Sequence, residues 1–237
     1  MKAGDVILIR SKGVSSLLNR VGQTIVSGRI APRSHVILCI APDVVIDATT
    51  KHGVMLRNVV REAISERMTA DMCDAGTMLA IRPPAASWDP TTGQALVSSM
   101  IHIGKKYNWK FGLPNASNAD PESDEADSAF CSELVALLLK TWKMLDSKAS
   151  QTLPISLQRM LTKGAWTDVT AEWAGKLREI GEWAESKDKE KCAQLGGRLW
   201  QGNQQIHLTL ALKQVGDGLP GWWDQQFGAA WREALLH

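Results

Sequence analysis

The chain is almost without tyrosine and phenylalanine. Its 237 residues hold 1 Tyr and 3 Phe against 10 Trp. Aromatic packing must therefore come mainly from indole rings, and the single phenol, Tyr107, is a scarce chemical group. No apolar run approaches the roughly 18 residues of a membrane span, so no stable membrane insertion is expected. Residues 1–13 hold one short apolar run, broken by Arg10. They lack the long apolar stretch and small-residue cleavage site of a secretory signal, and synthesis in the cytoplasm is expected. The four cysteines, Cys39, Cys73, Cys131 and Cys192, form no C-x-x-C pair. They read as reduced thiols and not as a disulfide framework. The five histidines are scattered too, so no metal is expected. Neither a phosphate loop nor a dinucleotide glycine pattern occurs, and no cofactor is expected. A net charge of +2 points to no nucleic-acid partner.

What is present is ordinary globular material, 44% hydrophobic and 22% charged, which excludes disordered and fibrous classes. The charge is unevenly spread. Residues 115–128 hold five acids and no base, an acidic loop with the character of a lid. The rest of residues 1–172 has a balance of +7, and residues 173–237 carry 8 bases and 8 acids. Short apolar segments at 6–10, 34–41, 44–48, 53–59 and 77–82 predict strands. Pro42-Asp43 between two of them predicts a hairpin, so the sheet should be antiparallel. Helical spacing occurs over 14–26, 60–72, 92–107 and 129–145. Leu96, Met100, Ile103 and Tyr107 form the stripe of the third, and Asp127 or Ser128 is the expected N-cap of the fourth. Beyond a break near residue 172, three stripes follow: Trp173, Leu177, Ile180 and Ala184; Leu195, Leu199, Ile206 and Leu210; Trp223, Phe227, Trp231 and Leu235. The expected class is α+β, with a body over 1–172 and a Trp-rich helical extension over 173–237.

Three residues carry the chemistry. Cys131 lies in the first turn of a predicted helix, where backbone N–H groups and the helix dipole favour thiolate and can serve as oxyanion donors. A buried cysteine acting as a small apolar side chain fits the same position. A nucleophilic cysteine needs a base. His35 opens an apolar strand and shares a face with Ile37 and Cys39 by alternation. A surface histidine would look the same. Asp47 sits among Val44, Val45, Ile46 and Ala48, where a buried carboxylate requires a partner. It could orient His35, or it could end its strand and cap a turn with Thr49 and Thr50. Cys39 shares the face of His35 but has no helix start to activate it, and reads as core.

The order His35, Asp47, Cys131 resembles the papain-like thiol hydrolases in permuted order. The pieces are Gly4-Asp5 before a strand, Ser34-His35-Val36, Val45-Ile46-Asp47-Ala48 and Gly53-Val54. Tyr107-Asn108-Trp109 follows upstream of Phe130-Cys131-Ser132-Glu133-Leu134-Val135, and Pro154-Ile155 and Trp166-Thr167-Asp168 come late. Together, over about residues 4–170, they resemble the circularly permuted NlpC-type branch, which includes lecithin:retinol-acyltransferase-like and bacterial YiiX- or YaeF-like proteins. The resemblance implies Cys131 as nucleophile, His35 as base and then acid, Asp47 as orienting group and Tyr107 beside the oxyanion. Many members of the branch have Glu where Asp47 stands. The acidic loop between Tyr107 and Cys131 is also longer than the spacing of the branch.

The implied fold is a permuted papain-like domain, with an antiparallel sheet packed on the nucleophile helix. The implied activity is cysteine-dependent amide hydrolysis, with peptidoglycan peptide stems as the favoured substrate. Without a signal segment such an enzyme needs a dedicated export route. An antibacterial effector of a contact-dependent secretion system, with an immunity or carrier protein as partner, meets that need. Two other readings stay open: a thioesterase or acyltransferase on lipid or lipoprotein, and a binding module that keeps the fold without activity. The Trp-rich tail reads as a helical cap, a glycan surface or a docking site, with Trp222-Trp223 its most exposed-looking pair.

Overall fold

The computed structural model describes residues 1–10, 14–65, 77–84, 92–107, 128–146 and 152–218. The acidic residues 115–127, Cys73, Trp88, Trp109, residues 66–72 of the second expected helix and the last tail stripe lie outside the described residues, as do Trp222-Trp223 and His237.

Strand β1 (Val6–Ile9), β2 (His35–Ala41), β3 (Val44–Thr49), β4 (Gly53–Asn58), β5 (Met78–Arg82) and β8 (Thr167–Asp168) form one antiparallel sheet in the order β4-β3-β2-β1-β5-β8. The first three strands are apolar at nearly every position because helices cover both faces. On one face Val6, Leu8, Val36, Leu38 and Ile46 pack on α4 (Cys131–Thr141) through Leu134 and Leu138. On the other, Ile7, Ile9, Ile37, Cys39 and Val45 pack on α6 (Thr170–Glu185) through Trp173 and Leu177. The chain is thus α+β, with helices on both sides of an antiparallel sheet. The β2–β3 hairpin turns at Pro42-Asp43. Proline fixes φ at the first turn residue, and Asp43 takes the left-handed φ of 59°, which Asp tolerates better than most residues.

Several expected elements differ. The third helix stops early: α3 spans Thr92–Met100, and Tyr107 belongs instead to the short strand β6 (Lys106–Tyr107). Gly104, at φ 88°, turns the chain between them. The stripe ending at Tyr107 was a helical spacing that a turn interrupts. The fourth expected helix begins two residues late, because Ser128–Ala129 form β7, parallel to β6. Its N-cap position is held by Phe130, not Ser128. In the tail, α6 runs across the expected boundary at 172, with Trp173 only 1% exposed against the sheet. Helix α7 (Lys189–Gly218) continues through Gly196-Gly197 without a break. It buries Leu195 and turns Leu210 to solvent. Trp183 packs beside Val60, Ile180 and Leu195, whereas Trp200 is 63% exposed.

One glycine is demanded by close approach. Gly53 has φ 66°, and a Cβ there would collide with the Lys105 carbonyl oxygen. That carbonyl accepts from Val54 N–H at 2.8 Å, and Gly104 N–H donates to the Val54 carbonyl at 2.9 Å. The turn at 102–105 is thereby clamped to β4. Gly53→Ala is expected to destabilise the protein by roughly 1–3 kcal/mol, from backbone strain and the collision. Urea unfolding checks this, and an unchanged midpoint would mean the clamp yields freely.

Candidate active site

The site forms at one end of the sheet, where β2 begins, β3 ends and α4 starts. The parallel pairing Tyr107↔Ala129 places Tyr107 beside the start of α4. The Tyr107 and Phe130 rings meet edge to face, 6.3 Å apart at 81°. Glu133 accepts the Phe130 N–H at 3.1 Å, which supports the first turn of the helix. The Ser132 hydroxyl donates to the Thr152 carbonyl, tying α4 to the start of α5 (Pro154–Lys163). Cys131, the first residue of α4, is fully buried between these anchors.

His35 Nε2 lies 2.7 Å from Asp47 Oδ1. This contact depends on a β-bulge. Ala41 pairs with Val44, but beyond Ile40 the register shifts so that Leu38 faces Ile46. Continued along the strands, that register sets Asp47 opposite Ile37, on the His35 face and diagonal to it. Without the extra residue Asp47 would oppose Leu38 and point to the other side of the sheet. Asp47 Oδ2 makes a second ion pair with Arg57 Nε at 3.0 Å, and Arg57 Nη1 reaches Glu62 at 3.1 Å. Asp47 is 7% exposed, and Arg57 together with the His35 ring offsets the desolvation cost of its carboxylate.

Cys131 lies close enough to the His35 imidazole and the Tyr107 side chain to influence the protonation of each. Burial disfavours the imidazolium, but the Asp47 carboxylate and its hydrogen bond, with the Cys131 sulfur nearby, outweigh it, so the His35 pKa rises well above its ordinary value. Burial first, then Cys131 and Asp47, push Tyr107 far up, so its hydroxyl stays protonated and able to donate. Chemically, the cluster can hold a sulfur nucleophile, a proton acceptor locked in orientation, and a neutral donor.

A histidine pKa raised on folding contributes stability that is complete below the unfolded value of about 6.5 and is lost as pH rises through the folded value. An NMR titration of the His35 ring is expected to give a pKa above 6.5 in the wild type. Asp47→Asn and Cys131→Ala should each lower it. A rise in either variant would contradict the cluster.

The other thiols and histidines stand elsewhere. Cys39 is fully buried and donates to the Ala41 carbonyl at 3.2 Å; burial, then Asp5, pushes its thiol far up, so it stays protonated. Cys192 is exposed on α7. His102 is buried, and burial followed by Lys105 brings its pKa down to about 3. Among the described residues no group of three or more His, Cys, Asp or Glu is arranged to hold a metal. No described helix is long and apolar enough to cross a membrane. Beside Tyr107 an open cleft of about 380 Å³ is lined by Lys51, His52, Lys105 and Lys106 among others.

Sequence reasoning nominated Cys131, His35, Asp47 and Tyr107, and all four meet here. It missed Arg57, whose alternation with Met55 carries no signal until the β3–β4 register Val45↔Arg57 is fixed. It missed the lysine-lined cleft as well, because Lys51 and Lys105 are far apart in sequence. No protein-family model, curated protein or solved structure matches the chain.

Proposed function

We propose that the chain is a cysteine-dependent amidase or peptidase, built as a permuted papain-like domain of the NlpC type. The observation that carries the reading is Cys131 at a helix start, beside a histidine that Asp47 orients at 2.7 Å. In the proposed cycle His35 takes the Cys131 proton, and the sulfur attacks the carbonyl carbon. N–H groups of the first turn of α4, with Tyr107, stabilise the oxyanion. His35 then protonates the leaving amine as the C–N bond breaks, leaving a thioester. Water, deprotonated by His35, hydrolyses the thioester and restores the thiol.

Peptidoglycan peptide stems are the favoured substrate. Their carboxylates suit the lysine-lined cleft beside Tyr107. The setting proposed is an antibacterial effector, made in the cytoplasm, exported to a target periplasm, and met by an immunity or carrier protein. Ester or thioester chemistry on lipid is the second reading, favoured by the helix Val14–Ser27, which exposes Leu17, Val21 and Ile25 and holds the Ser34 carbonyl next to His35 through Asn19. The test is to incubate wild type and Cys131→Ala with purified peptidoglycan, and separately with ester substrates, and follow released products by mass spectrometry. Cys131-dependent release of peptide fragments is expected. No Cys131-dependent product from any substrate would leave a binding module. Equal toxicity in cytoplasm and periplasm would sink the wall target.

A further inference from the structure

Helix α1 (Val14–Ser27) is mounted the wrong way round for a helix of a globular domain. Its polar side faces the body. Ser16 Oγ lies 2.7 Å from Ser34 Oγ, Asn19 donates to the Ser34 carbonyl at 2.9 Å, and Arg20 donates to the Ala31 carbonyl at 2.9 Å. Gln23 is 1% exposed, donates to the Arg33 carbonyl at 3.3 Å and accepts from Ile155 N–H at 3.2 Å. Its aliphatic side faces out: Leu17, Val21 and Ile25 recur at i+4, with Val26 beside them. The turn that follows adds Ile30, 81% exposed. That turn is held by Thr24, whose hydroxyl accepts the Ala31 N–H at 3.1 Å, so Ile30 is fixed outward.

Burying such a stripe would gain about 25 cal/mol per Å² of apolar surface, and the body forgoes that gain. A contiguous exposed aliphatic stripe marks an interaction surface. The charge around it selects the partner. Between Asp5 and Asp43 the sequence has no acidic residue, and Arg29, in the turn beside Ile30, is exposed. Helix α5, which packs on α1, also lacks acids and exposes Arg159 and Lys163. Aliphatic side chains rimmed by cations on a helix of low net hydrophobicity are the pattern of interfacial helices that bind anionic lipid.

We infer that the outer face of α1 and the Ile30 turn form a docking surface for an anionic phospholipid membrane. At 14 residues the helix is too short to span a bilayer, so it lies in the interface plane. Ser34, which α1 holds, directly precedes His35, so the docked surface borders the candidate active site. The inference stands on the helix alone and does not depend on the amidase reading.

The test uses the full chain carrying Cys131→Ala, so that no turnover alters the lipid. It is sedimented with vesicles of phosphatidylcholine alone and of phosphatidylcholine mixed with phosphatidylglycerol. Binding to the mixed vesicles, weakened by salt, is expected, with little to phosphatidylcholine alone. Val21→Asp with Ile25→Asp should weaken it about tenfold or more. Arg29→Glu should weaken it without touching the aliphatic stripe, and Leu208→Asp, on exposed α7, should leave it unchanged. Thermal melts verify that each variant folds. No binding to the mixed vesicles, or equal binding by the α1 variants, overturns the proposal. So does a dimer in light scattering that the α1 variants dissociate while vesicles go unbound, since a second copy would then own the face.

Discussion

Asp5→Ala is expected to lower the unfolding free energy by about 3–5 kcal/mol, a large share of the 5–15 kcal/mol typical of a domain. Asp5 is fully buried, and everything around it is arranged for its charge. Arg82 Nε and Nη2 reach its two oxygens at 2.7 and 2.8 Å, Trp173 Nε1 donates at 2.8 Å, and Lys2 N–H donates at 3.0 Å. Removal of the carboxylate orphans a buried indole N–H and half of the Arg82 fork. Arg82 keeps Glu172, at 2.8 and 2.9 Å, which softens the loss. Asp5→Asn should cost less, because an amide oxygen can still accept from Trp173. Chemical denaturation of the two variants decides the matter. Equal, small losses would mean that the network contributes little. The network joins β1, β5 and α6, so its loss should loosen the helix that carries Trp173 before the α4 side of the sheet. Hydrogen exchange can read that order.

The second large effect concerns turnover. If the proposed chemistry operates, Cys131→Ala should remove all cysteine-dependent activity, and Asp47→Asn should lower kcat by roughly 10²–10⁴-fold with little change in KM. The asparagine can hold a similar position but cannot supply the negative charge that supports an imidazolium. It also leaves Arg57 without its partner, so the double variant Asp47→Asn, Arg57→Met separates the two losses. The rate of Cys131 alkylation by iodoacetamide gives a readout independent of substrate. It should fall in Asp47→Asn at neutral pH, because the His35 ring is then a poorer acceptor of the thiol proton. Unchanged alkylation alongside lost turnover would place the role of Asp47 elsewhere.

Much of the sheet was legible because its signals are local. Pro42-Asp43 between two apolar runs marks a hairpin without any knowledge of the rest of the fold. The pairing of His35 with Asp47 was not legible in the same way. It turns on one extra residue at Ile40, and nothing in the run Cys39-Ile40-Ala41 announces a bulge. Tyr107 shows the opposite failure. Its i+4 step from Ile103 mimics a helix, but Gly104 and the pairing of Tyr107 with Ala129 override the local spacing. The distant β7 segment decides its conformation, and a window of a dozen residues does not contain it. The tail division at 172 followed composition. The burial of Trp173 under the sheet follows from Asp5, 168 residues earlier.

The long helix α7 has a role that its sequence periodicity hides. Among the described residues strand β4 is the last of its sheet and would otherwise present an open ladder of backbone groups. The turn at 102–105 occupies the Val54 end of that ladder. At the other end Asn58 Nδ2 donates to the Leu199 carbonyl at 2.9 Å and to Asn203 Oδ1 at 3.1 Å, and Arg198 holds Asp43 at 2.7 Å. Gly202 lets the helix come this close, since a Cβ there would lie 2.5 Å from Asn58 Nδ2. The opposite margin, β8, is two residues long. The sheet is therefore guarded against strand-to-strand polymerisation at both margins. A chain cut before Lys189 would lose one guard and acquire a template for growth into fibres.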